Sequence, residues 1–368
     1  MKRALVLGVV ASQADAIRYL RSEGWYVIGC AHERRGAGLD VVNQFELIDI
    51  KETEVVKQLA RSEDVDIIYS VGSDLAIHTA TEVSAELDLP YFIEPSTIEL
   101  IDNKARLREF LNSRAISTVS YERVTSKEEL TSFDQFPAIV KPTDSYGQRG
   151  VFKVESESEA KERFNTASQH STHGDVLIEE YLDGPEISVN AFVEDSTVSF
   201  AVLSDRIVAN ETRGVPKAHV LPSSAVTGYE EDVVDLVRQA VEALGITNGP
   251  LYYQLKLTDD GPKIIEIAPR LDGCHLWRLI KHSCGVDLLE ATFQSLTGEQ
   301  SNQLSVDSIT PYRLEFLMET PDKPFDRHQY EIPEESVYSE FYYDSGDEIR
   351  ATNSVLEKVG YYITRDGE

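Results

Sequence analysis

Tyr252-Tyr253-Gln254-Leu255-Lys256-Leu257, an Asp259-Asp260-Gly261 turn, and Lys263-Ile264-Ile265-Glu266-Ile267-Ala268-Pro269-Arg270 together decide the fold. Two apolar runs around such a turn predict an antiparallel strand pair. Gln254 and Glu266 then lie on adjacent strands. Ile264, Ile265 and Ile267 surround Glu266, so the acid interrupts a strand expected to be buried. A buried carboxylate is costly unless it is paired or bound to metal. Magnesium held between carboxylates and nucleotide phosphates removes that cost. Arg270, four residues on, can pair with Glu266 or meet an anionic substrate. A structural Glu–Arg pair is the plainer alternative.

Upstream, Phe136-Pro137-Ala138-Ile139-Val140-Lys141-Pro142 runs into Thr143-Asp144-Ser145-Tyr146-Gly147-Gln148-Arg149-Gly150-Val151. A lysine ending an apolar strand is poorly placed for solvent and well placed for a phosphate. Ser145, Gly147 and Gly150 let backbone N–H groups approach phosphate oxygens, and Arg149 adds positive charge. A plain hairpin with a snorkelling lysine is the competing reading. Val176-Leu177-Ile178-Glu179-Glu180-Tyr181-Leu182-Asp183-Gly184-Pro185-Glu186 is an apolar strand ending in acids and a turn. A strand that runs past its sheet offers a purine one backbone donor, one acceptor and a flat apolar surface. Glu186 can accept from ribose hydroxyls. A solvated acidic strand end explains the same residues without a ligand.

The chain has 368 residues, 41% hydrophobic and 27% charged, which allows two or three domains with a sizeable core. Its net charge of −29 disfavours nonspecific nucleic-acid binding. It also opposes a polyanion such as ATP unless basic groups converge locally. No apolar run approaches the roughly 20 residues a membrane span needs. Met1-Lys2-Arg3 and Ala4–Val10 look like a leader, but no small-residue cleavage site follows, so a first strand is expected. Cys30, Cys274 and Cys284 show no CxxC spacing, which argues against disulfides and zinc and for a reducing cytoplasm.

Residues 1–95 alternate strands (Ala4–Val10, Trp25–Cys30, Phe45–Asp49, Asp66–Val71, Pro90–Phe92) with helices (Gln13–Ser22, Glu52–Arg61, Leu75–Leu87). This alternation predicts a doubly wound parallel sheet. The first turn, Gly8-Val9-Val10-Ala11-Ser12-Gln13, has one glycine where a dinucleotide fingerprint has three. With no Walker A sequence either, dehydrogenase and P-loop readings lose their support. Later helices are expected at Thr97–Ser113, Glu155–Gln169, Glu230–Leu244, Leu276–Cys284 and Leu288–Leu296. Strands are expected at Val176–Tyr181, Glu186–Glu194 and Thr197–Ser204.

Lys104, the Lys141–Gly150 loop, the Glu179–Glu186 hinge and the Gln254–Arg270 strand pair follow one another in the chain. In that order and spacing, over about residues 1–300, the chain resembles the ATP-grasp superfamily. The resemblance implies an α/β chain. A doubly wound domain over 1–98 would precede a two-lobed α+β ATP-grasp domain over 99–298, with an acidic, strand-rich segment over 299–368. It implies that Lys104 and Lys141 contact phosphates and that Ser145, Gly147, Arg149 and Gly150 belong to a loop closing over them. Glu179, Glu180 and Leu182 would be the adenine hinge and Glu186 the ribose acceptor. Glu266 would bridge metal with help from Gln254, and Arg270 would steady the acyl phosphate. ATP with Mg²⁺, or Mn²⁺ in its place, is the implied cofactor set. The implied reaction activates a small-molecule carboxylate for attack by an amine, with no nucleic-acid or membrane partner; members often form homodimers. Another acceptor (carboxylase or thiol ligase) and a non-catalytic nucleotide binder are the alternatives. Two positions depart from the family: it usually has an acid at Gln254 and an asparagine at Ala268, so a weaker second metal site is expected.

Asn210–Ser223 reads as a loop that concentrates Arg213, Lys217 and His219 in an acidic chain. It is expected to face the γ-phosphate and substrate, with His219 handling the amine proton and Lys217 beside it. A plain surface loop is the alternative. His275 is a further candidate, and Cys274 is not read as a nucleophile.

Overall fold

The structure, a computed structural model, describes residues 1–208, 214–299, 304–350 and 356–367. Strands β1 (Arg3–Leu7), β2 (Tyr26–Ala31), β3 (Gln44–Leu47) and β4 (Ile67–Tyr69) form a parallel sheet in the order β3-β2-β1-β4. Helices α1 (Ala11–Ser22), α2 (Thr53–Ser62) and α3 (Asp74–Glu86) alternate with them. The period-two pattern of β1 explains the layering. Ala4 and Val6 join the core containing Ile17 and Leu20 of α1, while Leu5 and Leu7 join Val56 of α2 and Ala76 and Ala80 of α3. Both faces are buried, as a doubly wound sheet requires. The short strand expected at Pro90–Phe92 is not formed. Proline brings no ladder donor there, and Phe92 instead sets its ring edge-on to Tyr69, with centroids 6.0 Å apart.

The single helix expected over Thr97–Ser113 is two, α4 (Pro95–Asp102) and α5 (Lys104–Ser113). Asn103 breaks it: its side chain accepts from the Arg106 N–H at 3.0 Å, a cap that competes with helical continuation. The break makes Lys104 the first residue of α5, and its N–H donates to the Thr143 carbonyl at 2.8 Å. A second, antiparallel sheet of four strands follows. It comprises β5 (Tyr121–Val124), β6 (Ala138–Pro142), β7 (Phe152–Val154) and β8 (Val176–Glu180), with α6 (Glu157–Gln169) packed on it.

The third sheet has eight strands: β9 (Glu186–Glu194), β10 (Thr197–Val208), β11 (Pro216–Leu221), β12 (Gly249–Thr258), β13 (Gly261–Ala268), β14 (Tyr312–Glu319), β15 (Tyr338–Phe341) and β16 (Glu357–Arg365). Their order is β13-β12-β9-β10-β11-β14-β16-β15, antiparallel throughout. Helices α7 (Glu230–Leu244), α8 (Leu276–Cys284) and α9 (Leu288–Leu296) match the sequence reading to the residue. Residues beyond 299 therefore extend the same sheet, and a boundary at 298/299 cuts through it. Gln254 faces Glu266 across the β12–β13 pair, as the spacing predicts.

Gly184 ties the turn after β8 to β12. It sits at φ +133°, and a Cβ there would lie 1.8 Å from the Leu257 carbonyl oxygen. Gly184→Ala is expected to destabilise the fold by about 3 kcal/mol, from clash and backbone strain together. A denaturation midpoint equal to that of the unmodified chain would contradict this.

Candidate functional site

A cleft of about 710 Å³ lies between the second and third sheets. Lys104, Lys141, Ser145, Gly147, Arg149, Glu179, Glu180, Leu182, Glu186, Gln254, Glu266 and Arg270 all line it. Six cations line it: Lys104, Lys141, Arg149, Arg206, Lys256 and Arg270. This is the local convergence of positive charge that an acidic chain needs to hold a polyanion. Lys104 Nζ donates to the Ser145 carbonyl at 2.7 Å and stands 5.7 Å from the Tyr146 ring centre, so it pins the start of the glycine loop. Gly147 and Gln148 take left-handed backbone in that loop, at φ +68° and +63°. Gly150 does not line the cleft; it packs against Ala167 and His170 at the end of α6.

The hinge acids already have partners within the protein. Glu179 is buried and bridges Lys141 and Arg108, with Arg108 Nη2 at 3.2 Å. Burial alone would raise its pKa, but Lys141 and Arg108 overcome it and hold the carboxyl below the usual range. Glu180 accepts from the Ser120 N–H at 2.8 Å. Neither side chain is left for adenine. The Leu182 N–H has no hydrogen-bond partner among the described residues, and Ile139 and Ile265 supply apolar walls.

Glu186 is held on three sides. Arg206 pairs with it, the Gln254 amide donates to it at 3.0 Å, and Lys256 Nζ is 3.6 Å away. Gln254 spends its nitrogen on Glu186 and keeps its carbonyl oxygen to offer. Glu266, opposite on β13, is half-buried and makes no ion pair or hydrogen bond among the described residues. Two neighbouring oxygen donors, one an unneutralised carboxylate, suit a hard divalent cation. Asp272 does not serve as a free ligand, because it accepts from the Cys274 and Leu276 N–H groups at 2.5 and 3.0 Å. Ala268 pairs with Tyr252 and offers no side-chain donor.

The competing Glu266–Arg270 pair is not formed, and the reading of Asn210–Ser223 needs correction. Glu266 and Arg270 do not pair; Arg270 grips Asp74 of α3 with both prongs, at 2.7 Å each, because Ser73 caps α3 and turns Asp74 toward the cleft. Asn210–Ser223 is not a loop throughout, since Pro216–Leu221 is β11. His219 is fully buried in it between β10 and β14, neither ring nitrogen has a partner among the described residues, and it does not line the cleft. Burial, then Arg206 and Lys358, push its imidazole well below the usual range, so it is a neutral core histidine. Lys217 is half-exposed, 3.9 Å from Glu315 and outside the cleft. Arg213 lies outside the described residues.

Sequence reasoning missed Arg206, Arg108, Asp74 and Asp102. Each carried a faint signal: a charge inside an apolar strand or helix face, or an acid just past a parallel strand's carboxyl end. Burial, then the charge of Asp74, push the Asp102 carboxyl up to about 7, against a hydrogen bond from Tyr146 and the charge of Lys104. The folded value lies above the model-peptide 3.8, so the folded state holds this proton more tightly. Asp102 therefore lowers stability progressively as pH rises from about 4 to about 7, by on the order of 2–4 kcal/mol. Asp102→Asn should remove that part of the decline. Identical urea-denaturation slopes against pH for both proteins would count against it.

The fold and cleft define an ATP-grasp architecture. The L-amino acid ligase of Bacillus licheniformis superposes with a TM-score of 0.82 at 17% identity, covering 99% of this chain and 93% of that one. Residues 134–276 match the model of the ATP-grasp domain, and the chain carries such a domain. Over 258 residues it is 27% identical to the uncharacterized protein y4rH of Sinorhizobium fredii, covering 67% of this chain and 52% of that one. The chain thus spans about half the length of that relative. Over 325 residues it is 25% identical to the phosphoribosylamine–glycine ligase of Caldanaerobacter subterraneus subsp. tengcongensis, covering 82% and 76% of the two chains. No described helix is long and apolar enough to cross a membrane.

Proposed function

We propose that this chain is an ATP-dependent ligase that activates a small-molecule carboxylate for attack by an amine. The observation that carries the reading is Glu266, a cleft carboxylate left without a cation, set beside Gln254 and within a ring of lysines and arginines. ATP would lay its purine between Ile139 and Ile265, with the Leu182 N–H as donor. Glu186 would meet the ribose, and the phosphates would reach Lys104, Lys141 and the Ser145–Arg149 loop. Glu266 and Gln254 would hold Mg²⁺, or Mn²⁺ in its place, which when bound offsets charge on the transferring phosphoryl group.

The substrate carboxylate attacks the γ-phosphorus, giving an acyl phosphate and ADP. Fixed cations lower this barrier because they need no reorganisation as charge develops. Arg149 moves with the loop, and loop closure keeps water from the acyl phosphate. The amine nitrogen then attacks the acyl carbon, and phosphate leaves. Arg270, its fork fixed by Asp74, orients the carboxylate end rather than gripping it with both prongs. Similarity to a phosphoribosylamine–glycine ligase supports the carboxylate–amine pairing.

The test incubates the purified chain with Mg-ATP and paired amino acids, dipeptides and sugar acids, and reads ADP and phosphate release. Release that needs both a carboxylate and an amine is the expected result. Tight nucleotide binding without release for any pair would overturn the ligase reading. A cytoplasmic setting and a homodimer fit this reading, and size-exclusion chromatography with light scattering tests the dimer.

A further inference from the structure

We infer that Arg108, which does not line the nucleotide cleft, is a positioning residue: it serves as the standing counter-ion of Glu179 and so frees the charge of Lys141 for a nucleotide phosphate. The inference rests on the nucleotide placement in the ligase reading of the cleft.

The division of contacts carries it. Lys141 pairs with Oε1 of Glu179. Arg108 takes the other oxygen, Oε2, through Nε at 3.3 Å and Nη2 at 3.2 Å. Its remaining nitrogen, Nη1, donates to the Ile264 carbonyl at 3.0 Å. The Ile264 N–H donates in turn to Ser117 Oγ at 2.8 Å, so β13 is fixed from both sides two residues before Glu266. Arg108 is thus committed on all three nitrogens and is 3% exposed. Lys141 is held by a single hydrogen bond among the described residues, on a flexible stem, and it lines the cleft. When an anion enters the cleft, Lys141 is the member able to turn toward it.

Charge sets the consequence. These three buried side chains comprise two cations and one carboxylate, a surplus of one positive charge. Without Arg108 the Lys141–Glu179 pair would be neutral and would offer a phosphate no net attraction. A Lys141 that turned away would also leave Glu179 as a buried carboxylate without a cation, the costly outcome for a buried pair. Arg108 removes both obstacles. Burial pushes the Lys141 ammonium below its usual range against the pull of Glu179, and the charges of Arg108 and Lys104 add to the push. A second anion beside Lys141 relieves that push.

The test titrates the full chain calorimetrically with a non-hydrolysable ATP analogue and Mg²⁺. Adenosine, which keeps the purine and ribose and has no phosphates, is titrated separately. Arg108→Gln should weaken the analogue about tenfold and leave adenosine within about twofold. Adding Glu179→Gln restores the surplus charge, so the double variant should bind the analogue within about threefold of the unmodified chain. Arg108→Lys keeps the charge and should do the same. A merely structural Arg108 predicts otherwise: both probes weaken together, and the second substitution weakens them further. That pattern, or an unchanged analogue affinity in Arg108→Gln, overturns the inference. If Arg108→Gln does not fold, the double variant and Arg108→Lys still decide. Loss of analogue binding in either overturns the inference, and retention in both supports it. Turnover separates it from the ligase reading. Analogue binding that depends on Arg108, in a chain that releases no ADP with any substrate pair, removes the ligase reading and leaves this inference standing. ADP release with binding indifferent to Arg108 does the reverse, and no analogue binding by the unmodified chain removes both.

Discussion

Replacing Glu266 with glutamine is expected to cut ATP turnover by about 10²–10³-fold while leaving the fold as stable as before. The two halves of that outcome have separate causes. Glutamine keeps the size and one oxygen but loses the charge that a divalent cation needs. Stability should hold within about 0.5 kcal/mol, because the carboxylate makes no ion pair or hydrogen bond among the described residues. Steady-state ADP release and urea denaturation read the two halves. Turnover within threefold of the unmodified chain would remove Glu266 from the metal site. A loss of stability alongside turnover would show a structural carboxylate instead.

Glu179→Gln is expected to act the other way, through the fold first. Lys141 and Arg108 are 5% and 3% exposed, and Glu179 is their shared carboxylate. Removing its charge strands two buried cations, a change that costs about 3–5 kcal/mol where one partner of a buried pair is lost. Glu157→Gln is the control. Its partner Lys161 lies one helical turn away with both side chains about a third or more exposed, and such pairs contribute about 0.3–0.5 kcal/mol. The pH dependence gives a second reading. The Glu179 carboxyl is depressed in the fold, so its contribution is present above the ordinary glutamate range and is lost as pH falls through the folded value. The gap between the two proteins should therefore narrow in acid. A gap under about 1 kcal/mol at neutral pH would mean the triad is not held as described.

The regular elements were legible because their signals are local. The helix Glu230–Leu244 ends at Gly245, which adopts φ +65°, and the Asp-Asp-Gly turn fixed the register of Gln254 against Glu266. The cleft lysines were legible because a charge ending an apolar strand is conspicuous. What failed was long-range pairing. Arg270 and Glu266 are four residues apart in sequence, yet Arg270 found Asp74, which is 196 residues away. His219 stood among polar neighbours in sequence, and only its pairing with β10 and β14 shows it enclosed. Asn103 was misread because capping competes with helix propensity at one residue, below the resolution of a periodicity argument.

The placement of β14 beside β11 bears on anyone who trims this chain for expression. A fragment stopped near residue 298 would leave β11 with a bare row of backbone donors and acceptors, and would strip away Leu314, Phe316, Tyr361 and Ile363, all nearly or wholly enclosed. Such an uncovered strand recruits whatever extended chain it meets, including another copy. The smallest workable expression unit therefore runs to about Arg365, and truncation screens guided by the 134–276 match alone would return insoluble material.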